Sequence, residues 1–223
     1  MIRRSPAVVP AATVPFDGRG AALLVCTASA LVLVPRYPAP AVAAAIVMGA
    51  VLAAHIRSRP DGFVPAALLR SPAFVASTLL ACALATSYFT LLFTIPQLLR
   101  ERTEWSTAAI GVGQLVALLI GSALSLVLAA AAVRIGRSRV LAVLIAVGAL
   151  APLTAVMTPW APLLLVAATL AVFATTGGQA TLAVYATAAA PESQRPTTIG
   201  LFNLCYQLGG AFGPAIAALI VLG

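Results

Sequence analysis

Residues 73–99 read AFVASTLLACALATSYFTLLFTIPQLL and contain no Asp, Glu, Lys, Arg or His. Twelve of them are Leu, Ile, Val or Phe. Each contributes about −0.3 to −0.6 kcal/mol to bilayer insertion near a helix centre, against about +2.5 to +3.5 kcal/mol for one central Arg. As an α-helix the run is about 40 Å long, longer than the roughly 30 Å of a hydrocarbon core. It is too long for a barrel strand of about 9–11 residues and lacks the alternation such strands show. The stretch predicts a membrane-spanning helix.

Six further runs share this character: roughly 20–35, 39–54, 107–133, 140–158, 161–190 and 197–222. The first two are short and read as a hairpin around Arg36-Tyr37-Pro38-Ala39-Pro40; the other four are long enough to span outright. The predicted fold is therefore all-α, a polytopic transmembrane helix bundle with about seven spanning helices. Its expected parts are a flexible arm over 1–19, a transmembrane hairpin over 20–56, a cytoplasmic link over 57–72 and a five-helix bundle over 73–223.

The whole composition agrees. Over 223 residues, 62% are hydrophobic and only 8% charged, where a soluble domain has about 25% charged residues. All 13 basic residues are Arg, and they fall between the apolar runs. Alternating spans put ten of them (Arg3, Arg4, Arg19, Arg57, Arg59, Arg70, Arg134, Arg137, Arg139 and Arg195) on one face and Arg36, Arg100 and Arg102 on the other. The positive-inside rule makes the ten-arginine face, with the N-terminus, cytoplasmic. Tyr37, Trp105 and Trp160 fall in the opposite links, as interfacial anchors would. Integration into the plasma membrane with several passes is the expected location. Arg3 and Arg4 precede an apolar stretch, but Asp17 and Arg19 interrupt it, against a cleaved signal peptide.

Several function classes drop out. The arginines are scattered singly, without the stripe or interleaved aromatics of a nucleic-acid surface. Cys26, Cys82 and Cys205 sit in apolar runs with no CxxC spacing, as small buried hydrophobes. His55 is the only His and has no Cys or carboxylate near it in sequence, so no metal site or cofactor is expected. The spans carry no base or carboxylate for a catalytic constellation, so an enzyme is not expected.

Neutral polar residues remain as candidates for a substrate path. Ser87, Thr90, Thr94 and Gln97 recur at three- and four-residue intervals beside Tyr88, on one helical face. Asn203 and Gln207 form a second stripe with Gly210 and Pro214, alongside Tyr206. Thr175, Thr176 and Gln179 cluster beside Gly177 and Gly178, and Gln114 precedes Gly121 by seven residues. These groups read either as a lining that hydrogen-bonds a ligand at the midplane or as contacts between helices. Gly209-x-x-x-Gly213, with Gly210, has the spacing of close helix crossing, as do Gly177 and Gly178.

Three stretches together resemble the major facilitator superfamily, within it the drug:proton antiporter branch with fourteen spanning segments. Phe16-Asp17-Gly18-Arg19-Gly20, the hairpin and Asp61-Gly62-Phe63-Val64-Pro65 resemble the region where that branch inserts two extra helices. Arg134-Ile135-Gly136-Arg137-Ser138-Arg139 is similar to the family's basic loop motif, G-x-x-x-D-R-x-G-R-R. Here Ala129 stands at the motif's Gly and Val133 at its Asp, so its charge relay lacks the acidic member. Pro191-Glu192-Ser193-Gln194-Arg195, followed by Gly200, Asn203, Gln207 and Gly209, is similar to the loop and start of the penultimate helix.

The resemblance implies a secondary transporter that exports hydrophobic or cationic small molecules, coupled to protons. It also implies that the six helices of the first half and the last helix are absent, so that the chain is either a fragment of a longer product or is completed by a second polypeptide or a second copy. The alternative is a non-transporting membrane subunit or truncated remnant that packs against a partner. The expected partners are thus the lipid bilayer, an unidentified small molecule and that second bundle.

Overall fold

A computed structural model describes residues 17–188 and 190–222. Most of the predicted arm, with Arg3, Arg4 and Phe16, lies outside the described residues, as does Gly223.

The described chain is helical throughout: α1 (Gly18–Leu33), α2 (Pro38–Ser58), α3 (Ala66–Arg70), α4 (Pro72–Arg102), α5 (Thr107–Ile135), α6 (Arg137–Met157), α7 (Ala161–Ala188) and α8 (Arg195–Leu222). All seven apolar runs are helices. Six helical segments are long and apolar enough to cross a membrane, and α1 is shorter. With 16 residues, α1 extends about 24 Å. By contrast α2 outlasts its uncharged run, because His55 and Arg57 continue the helix through its last turn. The link after it holds the one-turn helix α3, too short for periodicity to reveal.

Local chemistry sets the ends. Ser71 and Ser106 cap α4 and α5, their hydroxyls accepting from the amides of Phe74 and Ala109, which satisfies donors a helix start leaves free. Pro38 and Pro72 stand in the first turns of α2 and α4, where no amide hydrogen is needed. Gly136 divides α5 from α6 with φ +86° and ψ 154°, a region that only glycine occupies at low cost.

The core has two storeys. One gathers Phe74, Leu84, Leu128, Val140, Leu144, Leu182 and Phe202. The other gathers Leu91, Ile95, Leu99, Ile110, Ala155 and Leu164. Helix α7 packs along α4, α5 and α6, while α4 packs along α8. The hairpin is more peripheral: α1 pairs with α2 and touches α8 only lightly.

Contacts at the helix ends agree with alternating passes. Arg137 lies over the Tyr185 ring, 4.8 Å from its centroid, joining two segments of the arginine-rich face. Arg102 Nη1 donates to the Thr158 carbonyl at 3.1 Å, joining two links of the opposite face.

Candidate functional surface of the helical bundle

Glycine brings α8 against α4. A Cβ on Gly209 would stand 2.2 Å from the Cys82 carbonyl oxygen, and one on Gly213 would stand 2.4 Å from Phe89 Cβ and 2.8 Å from the Thr90 nitrogen. Gly210 meets the Phe89 ring. Across the closed crossing Thr90 Oγ1 donates to the Gly213 carbonyl at 3.3 Å as well as to Thr86 within its own helix. Gly177 and Gly178 do the same for α7, the first facing Leu128 and Ser125 of α5, the second facing Leu84 of α4.

The predicted polar residues divide into two groups by where these crossings put them. Tyr88 and Gln114 meet at a pocket between α4, α5 and α7 of about 10 Å³, room for about one water. Gln114 Nε2 donates to the Leu92 carbonyl at 3.4 Å. That carbonyl lies four residues before Pro96, inside α4, so the amide hydrogen that would ordinarily bond it is missing. The side chain thus answers a backbone acceptor that proline leaves open. Ser87, Thr94 and Thr175 present buried hydroxyl oxygens with no hydrogen-bond partner among the described residues, and Tyr206 is buried. Gln179 is half-buried. These residues belong to the interior.

Asn203 and Gln207 belong to the exterior, as do Gln97 and Thr176. On α8 Gly200 and Ala218 are exposed along the same stripe, with Ala211 and Pro214 half-exposed, and the exposed Ile199 and Ile216 flank it. Among the described residues, α8 exposes no large apolar side chain between positions 200 and 215. Helix α5 is the opposite: Val112, Leu115, Leu119, Leu126 and Val127 are all more than half exposed. The outer face of α5 is mainly aliphatic; that of α8 is small and amide-bearing over its middle, with Ile199 and Ile216 at the two ends of that stretch. Beside the amide stripe, α1 and α8 flank a groove of about 500 Å³ lined by Val25, Ser29, Val32, Leu204 and Gln207.

At the arginine-rich face the basic loop is open. Arg134, Gly136, Arg137 and Arg139 are exposed, and Val133, in place of the motif's acid, is 92% exposed.

Sequence reasoning missed a cluster at the foot of the hairpin. The Asp17 carboxylate accepts from Gly20 N at 3.0 Å and from Phe63 N at 3.1 Å, and both its oxygens lie 3.0 Å from His55 Nε2. Hydrogen bonding to the Gly20 amide, then to His55 and the Phe63 amide, holds its pKa at about 2. A Cβ on Gly20 or Gly62 would stand 2.3 or 2.5 Å from Asp17 Oδ2, so both glycines clear space for the carboxylate. The pattern was visible as Asp17-x-x-Gly20 and Asp61-Gly62-Phe63, but nothing in it announced that His55, 38 residues on, would join them. Among the described residues no group of three or more His, Cys, Asp or Glu is placed to hold a metal ion.

Residues 77–223 match the family model described as Major Facilitator Superfamily. No curated protein and no solved structure matches the chain.

Proposed function

The chain belongs to the major facilitator superfamily, and from that premise we propose that it works as part of a secondary transporter in which the outer stripe of α8 lines the substrate path. The membrane-spanning helices and the family support a transporter, or part of one. The observation that carries the finer reading is the amide stripe itself. Moving an unbonded amide from water into pure hydrocarbon costs about 4–8 kcal/mol, so Asn203 and Gln207 are poorly suited to face lipid tails. A water-filled path or an apposed protein surface suits them.

The path does not run through the bundle α4–α8. The pocket around Tyr88 and Gln114 holds about one water, and a drug-sized ligand needs about 300–1,000 Å³. Substrate therefore passes beside the bundle, between α8 and a second helical body that rocks against it, the arrangement by which alternating access works. In this reading the cargo is a hydrophobic or cationic small molecule exported by proton exchange, as in the drug:proton antiporter branch. The described spans carry no Asp, Glu, Lys, Arg or His near their centres, so in this reading the proton-carrying residue belongs to the opposing body.

A second reading has one specific support. Gly200, Ala211 and Ala218 on the same stripe are small enough for close helix apposition, which suits a non-transporting subunit clamped to a partner. Asn203→Leu and Gln207→Leu, tested in cells that export ethidium through this protein, separate the two. Lost export at unchanged membrane abundance supports the lining; lost recovery of the partner supports the clamp. Unchanged export and recovery in both variants refute the assignment of this face.

A further inference from the structure

Where α2 ends, its last turn, the bend after it and α3 enclose a pocket of about 250 Å³. Arg57 and Arg70 line it together with an apolar wall of Ala53, Ile56 and Leu69. Both arginines are exposed, and neither has an ion-pair partner among the described residues.

The backbone that carries them is braced. His55, two residues before Arg57, is bonded to Asp17. The Gly62 amide donates to the Arg59 carbonyl at 3.0 Å and the Ala66 amide to the Pro60 carbonyl at 2.8 Å, closing the bend. The backbone that bears the two arginines is thus one braced corner rather than a free loop.

Two guanidiniums above an aliphatic wall, at the rim of a membrane helix, select a ligand by chemistry. A phosphate oxygen pair matches the fork of an arginine, and hydrocarbon matches Ala53, Ile56 and Leu69. A free anion would leave the wall wet; a neutral lipid would leave the arginines unanswered. The volume lies below the about 300–1,000 Å³ of drug-sized sites, so a headgroup and the first carbons of its chains fill it. The field agrees, since the described part of this face carries eight arginines (Arg19, Arg57, Arg59, Arg70, Arg134, Arg137, Arg139 and Arg195) against Asp17, Asp61 and Glu192. Basic pockets between helices at a membrane face recognise anionic headgroups for this reason.

We infer that this pocket binds an anionic glycerophospholipid of the surrounding leaflet, its phosphate on Arg57 and Arg70 and its glycerol and upper chains on the apolar wall. The inference rests on the chain spanning a membrane and holds whether or not the α8 face conducts a substrate.

The test is native mass spectrometry of the full chain, extracted in detergent from vesicles of equal parts phosphatidylglycerol and phosphatidylcholine. The wild-type chain retains one phosphatidylglycerol in preference to phosphatidylcholine. Arg57→Gln and Arg70→Gln each reduce its retention about five-fold, the effect of one charge beside an anionic headgroup. Ala53→Phe keeps both charges and also displaces the lipid by filling the wall. Arg139→Gln, an exposed arginine elsewhere on the same face, leaves retention unchanged. Equal retention of the two lipids by the wild-type chain overturns the inference whatever the variants do. So does an equal loss in Arg139→Gln, which makes the attraction a property of the whole rim, and so does full displacement by inorganic phosphate, which makes the ligand a free anion.

Discussion

Replacing Gly209 by Ala adds one methyl group where α8 crosses α4, and the structure fixes what it meets. The new carbon would stand 2.2 Å from the Cys82 carbonyl oxygen, 3.0 Å from its carbon and 3.1 Å from Cys82 Cα. All three are backbone atoms, so no rotamer change relieves the overlap; the helices must part. Reaching an ordinary contact of 3.4 Å from 2.2 Å requires 1.2 Å of movement. A gap of about 0.5–1 Å already forfeits a quarter to a half of each van der Waals contact along the seam. Overpacking of this kind costs about 1–3 kcal/mol, against which alanine returns about 0.5–1 kcal/mol of helix preference. The net expectation is a loss of up to about 2.5 kcal/mol, towards the upper end because the overlap is with backbone atoms. Gly111→Ala, on α5 with nothing within 4 Å, receives only the second term and should be stabilised.

The assay is reversible unfolding in mixed micelles followed by helical circular dichroism, with both variants measured beside the parent chain. Opposite signs are expected from the same chemical change. Gly209→Ala together with Gly213→Ala should cost less than the sum of the two singles, because the first methyl opens the seam for the second. If Gly209→Ala proves as stable as Gly111→Ala, the close crossing of α4 and α8 is wrong, and with it the exposure of Asn203 and Gln207 that follows from it.

Asp17→Asn should loosen the foot of the hairpin, read as faster hydrogen exchange at the Phe63 amide, because an amide offers one acceptor oxygen where the carboxylate offers two. Since the Asp17 pKa is lowered from 3.8 to about 2, the carboxylate's contribution is complete above pH 3.8 and is lost as pH falls towards 2; the exchange rate in the parent should rise over that window and not in the variant. Gln114→Ala leaves the Leu92 carbonyl without a donor and should cost about 1–3 kcal/mol, at the lower end because the bond is long. In Pro96→Ala the helix regains an amide for that carbonyl, so the Gln114→Ala penalty should shrink in that background, measured as a double-mutant cycle. Tags beside Arg137 and Trp160 should be accessible from opposite sides of the membrane, and access from one side would refute the alternating passes.

The helices were legible because lipid leaves little choice: an uncharged run of sufficient length must satisfy its own backbone bonds, and helices do so. Their ends were less so. The last turn of α2 keeps His55 and Arg57 because a helix can carry polar groups out to the rim, and α3 is a single turn whose apolar residues carry no period. The foot of the hairpin was illegible for another reason. His55 looked isolated because its partner, Asp17, lies far away in sequence, and only the folding back of α2 onto α1 joins them.

Which polar residues face inward was the hardest part to read, because in a membrane protein the pattern that separates inside from outside is inverted or absent. The stripe on α4 and the stripe on α8 both recur at three- and four-residue intervals and both carry neutral polar side chains beside a tyrosine, so spacing does not tell them apart. What divides them is the glycine seam: with Gly209 and Gly213 turned to α4, the period of the helix carries Asn203 and Gln207 about 80–160° away, out of the bundle. Tyr88, on α4, is instead turned towards α5 and α7 and shares the small interior pocket with Gln114. The amides of α8 are therefore exposed as a geometric consequence of two glycines. On the function proposed above, α8 has two contacts to make, one through its glycines and one through its amides, and the bundle α4–α8 supplies the first of them.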